Sequence, residues 1–482
     1  KAGEDAGGPR GVNHASHAIL SPHPETPTML RSPSRHRFRY ELPAHPRHRK
    51  IRTVPAGDRH CGWIEVLPPL PPARRLTSDE RADCAVIGAG FTGLACARRL
   101  AERRPGWRIA VVDAYRAGDG ASGRSSGFVV DRAHFVARLE PATSRRYRDL
   151  CRFGIEELRG AVQRHGIDCD WDETGWIHGA AGAEGAAALP NLRAWLESLG
   201  EPYEWLDAEG LARITGTAHY RAGIRLPGSV LVQAAALARG LAAALPANVE
   251  LFEESPVRAI DRGDRFRLET DTGSIEADRL FLAANGCTPA LGFLRRRVFP
   301  LFTFGSLTRP LTPAEQEALG GEREWGLLAE DPMGSTVRRT RDQRILIRNS
   351  AHYTPRLAVD DARRLEARAL HRVAFLARFP MLRQVEFEYT WGGILGASPN
   401  RGHSFGELDE GLFAAAGYSG AGIAMGTTAG ILLADLALGE GSERLEAMLG
   451  LPEPTRLPPQ PFLGIGVRWQ VGRMNASAAE TM

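Results

Sequence analysis

Apolar and polar positions along this chain follow two periods, and the switch between them is sharpest over residues 82–114. Residues 82–87 form a short apolar run, the pattern of a strand buried on both faces. From Leu94 the period lengthens: Leu94, Ala97, Leu100 and Ala101 fall on one helical face, with Arg98, Arg99, Glu102 and Arg103 on the other. Pro105-Gly106 ends that helix, and a second apolar run over 108–114 predicts a second strand.

Downstream the helical period returns over 142–166 and 191–200, with strand-like residues around Trp176-Ile177 between them. Residues 228–246 read as a further helix. Alternation over 266–277 predicts a β-hairpin turning at Asp271-Thr272-Gly273, and 280–286 reads as a buried strand ending at Gly286. Segments 300–311, 335–342 and 344–350 alternate as strands. The last apolar strand, 411–417, runs into a Gly-rich turn and a helix over 418–439.

The turn between the first strand and helix carries the first chemistry. Gly88, Gly90 and Gly93 stand in Gly-x-Gly-x-x-Gly spacing: one makes the tight turn, one admits a pyrophosphate, one lets the helix pack closely on the sheet. Asp113 ends the second strand 25 residues beyond Gly88, where a carboxylate accepts hydrogen bonds from both hydroxyls of an adenosine ribose. The ordered set of strand, glycines, amphipathic helix, strand and acid predicts a dinucleotide site.

A second Gly/Ser-rich segment, 118–129, follows at once. A nicotinamide dehydrogenase has little use for it, whereas a flavin needs small residues beside its isoalloxazine. Here Gly120-Ala121-Ser122-Gly123-Arg124-Ser125-Ser126-Gly127 resembles the G-A-S-G-R-N-S-G segment of the D-amino-acid oxidase family of FAD-dependent amine oxidoreductases. The resemblance covers roughly residues 63–470 by order of motifs, and within the family it is nearest to γ-glutamylputrescine oxidase-like members.

The resemblance implies an α/β fold: a Rossmann-like FAD-binding domain interleaved with a substrate domain built on an antiparallel sheet. The expected division assigns 61–134, 223–298 and 389–470 to the FAD domain and 135–222 and 299–388 to the substrate domain, between a basic disordered tail (1–60) and a short tail (471–482). It implies FAD held without a covalent link by Gly88, Gly90, Phe91, Thr92, Gly93, Asp113, Ala114, Ala121, Ser122, Arg124, Ser125, Ser126, Val257, Gly286, Gly420, Gly422 and Ile423. Trp391, Arg348 and Ala421 are the candidates facing flavin and substrate. Arg338 is a further candidate beside Arg348, and for each of the two an exposed strand arginine in an Arg-rich chain is an equally good reading.

Three departures from the family pattern bear on the reaction. Trp391-Gly392-Gly393-Ile394-Leu395-Gly396 has Leu395 where relatives acting on simple amino acids carry an arginine for the carboxylate, although Arg348 could replace it. Ser419-Gly420-Ala421-Gly422 has Ala421 in place of the histidine of S-G-H-G. The two lysines, Lys1 and Lys50, both lie in the N-terminal tail, so the body lacks the lysine that some relatives use beside the flavin to promote reaction with O2.

At 482 residues and 43% apolar the chain is long enough for more than one domain. Apolar runs such as 231–245 are broken by Gln233, Arg239 and Gly240, so no membrane span is expected. The six cysteines lack paired spacing, which predicts a reduced, cytoplasmic protein, and none follows Cys287, which excludes a C-terminal cysteinyl–flavin bond. The net charge of +4 is uneven: residues 1–60 carry eleven Lys/Arg against five Asp/Glu. That tail lacks the aromatic pattern of a nucleic-acid binder and the spacing of a metal site.

The expected activity is oxidation of a C–N bond in a small amine or amino-acid-like substrate, by hydride-equivalent transfer to flavin N5 with O2 as acceptor. A dehydrogenase using another acceptor and a non-catalytic flavin-binding subunit remain alternatives. Gly123-Arg124-Ser125-Ser126-Gly127 also fits G-x-S-x-G, but a nucleophile elbow needs a strand directly before it, and GDGAS precedes it here.

Overall fold

A computed structural model describes residues 48–56, 60–132, 140–330 and 334–479. Two large sheets divide the chain between them. The first has nine strands, ordered around the central strand Ser274–Leu282. That strand pairs in parallel with Asp79–Ile87 along one edge. Its other edge is shared by Phe266–Glu269, antiparallel, and Leu412–Ala416, parallel. Beyond Asp79–Ile87 lie Ile109–Val112 and Val249–Phe252, both parallel.

Alternation decides what each face of this sheet meets. Cys84, Val86, Ile109 and Val111 join a core with the helices, while Ala85, Ile87, Ala110 and Val112 join a second core with Val257, Leu268 and Phe293. On the helical side Phe91–Arg103, Pro141–His165 and Ala424–Leu438 pack together. The last of these is buried from Ala424 to Asp435 and apolar all round, as a helix between two others must be. Its glycines set the approach. A Cβ on Gly430 would lie 2.1 Å from the Thr92 carbonyl oxygen, and one on Gly154 would lie 2.2 Å from that of Ala424.

The second sheet has eight strands in the order 387–397, 299–308, 345–353, 336–339, 325–329, 176–180, 222–226, 204–207. All its pairings are antiparallel except Trp325–Ala329 with Trp176–Ala180. The helix Asp361–Arg378 covers its outer face through Ala374 and Phe375 against Val337, Ile345 and Ile347. Asp360 caps that helix, accepting from the Arg363 N–H at 2.9 Å.

Four expectations are corrected here. The strand carrying Trp391, Phe387–Ala397, is an edge strand of the eight-stranded sheet, because its full length pairs with Phe299–Thr308; a boundary at 389 falls inside it. The helix Pro141–His165 packs chiefly on Ala424–Leu438, on the helical side of the nine-stranded sheet, although Trp176 and Ile224 of the second sheet join the same core. The helix expected over 228–246 is shorter, Ala234–Ala243, since Val230–Leu231 pairs with Phe128–Val129 and Gln233 caps the helix. The expected tail ends before residue 60: His48–Lys50 is an edge strand on Ala259–Arg262, and Ile51 is buried in the adjoining core. Residues 1–47 of that tail lie outside the described residues.

Candidate functional site

Between the two sheets runs a cavity of about 850 Å³. One end is made by the turn after Asp79–Ile87. Gly88 has φ +114°, and a Cβ there would lie 2.7 Å from the Ala283 carbonyl oxygen. Gly90 caps the helix in extended geometry, so the first amides of Phe91–Arg103 open towards the cavity. Asp113 faces the same space. Its carboxylate accepts from the Ala89 N–H at 2.6 Å and the Tyr115 N–H at 2.8 Å. Burial pushes it up to about 6, the backbone donors and Glu253 having smaller effects.

The second Gly/Ser segment closes over this turn. Ser122 Oγ accepts from the Phe91 N–H at 3.2 Å and occupies the space a Cβ on Gly90 would need, 2.6 Å away. Two tryptophans pin the same loop through its carbonyls: Trp63 Nε1 donates to Ser125 O at 2.8 Å, and Trp391 Nε1 to Arg124 O at 3.0 Å. Arg124 donates back to Asp119 O at 2.7 Å and Gly392 O at 3.2 Å. The loop is thereby fixed against both sheets.

At the other end, Asn285 Oδ1 accepts from the Gly417 N–H at 2.9 Å, and the Ser419 N–H donates to Gly396 O at 3.1 Å. Ser419 (φ +49°) and Gly420 (φ +111°) take left-handed geometry, which turns the chain into the helix Ala424–Leu438. A Cβ on Gly420 would meet nothing within 4 Å, so the turn presents open space to the cavity.

The structure brings most of the predicted residues to this cavity: Gly88, Gly90, Phe91, Thr92, Asp113, Ala114, Ala121, Ser122, Arg124, Ser125, Ser126, Val257, Gly420, Gly422, Ile423 and Arg348 line it. Gly93, Gly286, Trp391, Ala421 and Arg338 do not, each for a packing reason. A Cβ on Gly93 would lie 1.7 Å from Gly88 O, and one on Gly286 2.9 Å from Ile394. Trp391 and Ala421 are each 1% exposed, the first tied to Arg124 and the second inside the helix entry. Arg338 shares the inner sheet face with Thr336, two residues along its strand, but is buried against the Trp63 ring, donating to Val232 O at 2.5 Å.

Sequence reasoning missed several lining groups. Thr53 to Pro55 reach the cavity because the strand His48–Lys50 carries them there. His178 and Glu330 line it as a hydrogen-bonded pair. Pairing of Arg348 with Thr336, Val337 with Leu327 and Leu328 with His178 puts Arg348, Thr336, Leu328 and His178 in one row across four strands. All four line the cavity, and three inter-strand spacings separate the ends of the row by about 14 Å. Only the alternation of each strand hinted at this row, since the register itself is a tertiary property.

Arg348 is the electrostatic anomaly of the cavity. Desolvation pulls its guanidinium down to about 10, and no carboxylate among the described residues pairs with it. Among the described residues no group of three or more His, Cys, Asp or Glu is placed to hold a metal.

The profile of the DAO family, FAD dependent oxidoreductase, matches residues 83–436. The chain belongs to this family. It is 30% identical over 400 residues to the probable oxidoreductase OrdL of Rhizobium meliloti, covering 79% of this chain and 89% of that one. Its identity to the gamma-glutamylputrescine oxidoreductase of Escherichia coli is 28%, again over 79% and 89%. Among solved structures, glycine oxidase from Geobacillus kaustophilus superposes with a TM-score of 0.64 at 26% identity, covering 76% of this chain and 96% of that one. The protein is thus an FAD-dependent oxidoreductase. The cavity fits such a cofactor on its own terms: Asp113 presents a carboxylate to it, a helix N-terminus opens into it, and the Gly420 turn leaves room. Among the described residues no helix is long and apolar enough to cross a membrane.

Proposed function

We propose that the protein oxidises a C–N bond in an amine that also carries a carboxylate, with Arg348 holding the carboxylate. FAD, when bound, supplies the acceptor for the hydride equivalent leaving the carbon that bears nitrogen. The chain's own contribution is to hold both partners. FAD would be held with its pyrophosphate at the helix N-terminus that follows Gly90, its ribose hydroxyls on Asp113 and its adenine near Val257. Residues 121–126 run alongside the isoalloxazine. The turn Gly420–Ile423, whose Ala421 N–H is already given to Tyr418 O, would stabilise the negative charge that the pyrimidine end gains on reduction through the positive end of its helix.

The observation that carries the substrate class is the Arg348 side chain, a cation facing the cavity with no carboxylate against it among the described residues. A half-buried, desolvated cation of this kind is stabilised by an incoming anion, and guanidinium suits a carboxylate bidentately. At the other end of the row, Glu330 on His178 suits a donor-bearing or cationic end. An elongated amine with opposite charges at its ends matches this wall better than glycine does. Leu395, which lines the cavity too, supplies no donor. O2 is assigned as acceptor and the cytoplasm as the location, the latter supported by six free thiols.

The deciding experiment is an anaerobic titration of the flavoprotein with γ-glutamylputrescine, sarcosine, D-alanine and putrescine, followed by readmission of air. Bleaching by a carboxylate-bearing amine and not by putrescine is expected, with rapid return of colour in air. Bleaching by putrescine alone would overturn the assignment of Arg348. Slow return in air would replace O2 by another acceptor.

A further inference from the structure

The helix Phe462–Ala479 is apolar on faces pointing in opposite directions. Its inner face is committed to the protein. Leu463 and Val471 are buried, and Val471 packs with Val467 and Met474 against Leu301 and Ala351. Asn475 clamps the strand beneath through both amide atoms, donating to Ala351 O at 3.0 Å and accepting from Ala351 N at 3.1 Å. Gln470 and Met474 line the cavity, so this helix forms part of the cavity's rim.

The outer face is a different surface. Phe462, Ile465 and Trp469, spaced by three and four residues, stand on one side at 66%, 61% and 61% exposure. They are three of the seven large apolar side chains exposed among the described residues, gathered within eight positions. Gly466 and Gly472 lie among them with nothing within 4 Å, so the surface between the large side chains is open. Arg473 lies over the Trp469 ring at 4.9 Å, and Arg468 over Tyr353 at 5.7 Å. From Pro454 to Ala479 the sequence contains no Asp or Glu.

We propose that this face rests on an anionic lipid surface. Phe462, Ile465 and Trp469 enter the boundary between headgroups and acyl chains, Arg468 and Arg473 meet lipid phosphates, and the cavity rim lies at the bilayer surface. The combination of aromatic and branched apolar side chains with arginines and no acids is that of a helix lying in the membrane interface. Charge excludes the nearer occupants. A second copy docked face to face would bring the arginines of both copies into one interface that holds no acidic residue from 454 to 479, and the N-terminal segment carries eleven Lys/Arg against five Asp/Glu over residues 1–60. Both would bring positive charge to a positive face.

The test uses the full-length flavoprotein with vesicles of phosphatidylcholine alone or mixed with phosphatidylglycerol, read by co-sedimentation of the yellow protein. Wild type is expected to partition about tenfold more strongly onto the anionic vesicles, an advantage that salt reduces. The triple variant F462S/I465S/W469S should lose this partition while keeping its flavin spectrum. R468Q/R473Q, which leaves the apolar contacts alone, should lose the preference for phosphatidylglycerol and guards against misfolding of the triple variant. Failure of wild type to sediment with either vesicle overturns the proposal. So does binding that survives in the triple variant, which would assign it to the basic N-terminal segment. A wild-type dimer that the triple variant converts to monomer, or stoichiometric capture of an acidic protein in place of vesicles, would also overturn it.

Discussion

Trp391 and Arg124, far apart in sequence and on different sheets' margins, are joined by one hydrogen bond from the indole N–H to the Arg124 carbonyl at 3.0 Å. Trp391 is almost fully buried, while the Arg124 end of the bond is only part-buried at the cavity. Trp391→Phe keeps the ring and removes the donor. It should lower the stability of the holoenzyme by about 1–2 kcal/mol, seen as a lower Tm, with kcat close to wild type. A large fall in kcat at unchanged flavin content would instead restore Trp391 as a catalytic residue.

With Asp113 as the proposed ribose ligand, cofactor binding should depend on pH. Burial raises its folded value from 3.8 to about 6, so between those values the folded apoprotein holds a proton that the unfolded chain has released. This group's contribution to apoprotein stability is therefore present at the acid end and lost as pH rises through about 6. FAD has the opposite preference, because ribose hydroxyls donate to the ionised carboxylate. Between about pH 5 and about pH 7 the affinity for FAD should rise about tenfold. A flavin-fluorescence titration measures it, and Asp113→Asn should flatten the profile.

Arg348→Met removes the cation and keeps much of the side-chain volume. For a carboxylate-bearing amine, kcat/KM should fall by roughly 10- to 100-fold, the equivalent of one or two charge-assisted hydrogen bonds. Most of the change should lie in KM, with flavin content unaltered. Arg348→Lys should recover part of the loss, since the charge returns without the bidentate fork. Equal kinetics for Arg348→Met and wild type would show that no anion binds there.

Gly90 and Gly93 should separate binding from folding. A Cβ at Gly93 meets backbone at 1.7 Å and has no room to move, so Gly93→Ala should give little folded protein. A Cβ at Gly90 meets only Ser122 Oγ, at 2.6 Å, and that hydroxyl can rotate. Gly90→Ala should fold and bind FAD weakly, and adding Ser122→Gly should restore part of the affinity.

The sequence made the nucleotide half legible because its chemistry is local. Gly88, Gly90, Gly93 and Asp113 are spaced by one strand, one helix and one strand, and their roles follow from that unit alone. The second loop was readable for the same reason. What escaped depended on partners distant in sequence. Trp391 looked like a substrate-facing aromatic, and its actual role appears only when Arg124 is seen beneath it. Ala421 took its place from a family motif, yet without the histidine the position is filled by packing rather than by a donor. Arg338 and Arg348 looked equivalent on alternating strands. Both lie on the inner face of the sheet; Arg348 sits where that face borders the cavity, whereas Arg338 sits further along it, taken up by Val232 O and the Trp63 ring, a distinction of tertiary packing that composition does not carry. His178 and Glu330 meet only because Trp325–Ala329 pairs in parallel with Trp176–Ala180.

The central position of Ser274–Leu282, between Asp79–Ile87 on one edge and Leu412–Ala416 on the other, also sets a timetable. On the ribosome the glycine turn and Asp113 emerge early, but the strand that flanks them is made much later, after three of the eight strands of the second sheet. The turn Gly420–Ile423 comes later still. The early unit must wait with its apolar edge uncovered, a period in which such chains are open to aggregation or in need of a chaperone. Flavin loading should therefore come late in synthesis, and a nascent chain arrested before Leu412 should be colourless although it already contains the whole glycine fingerprint.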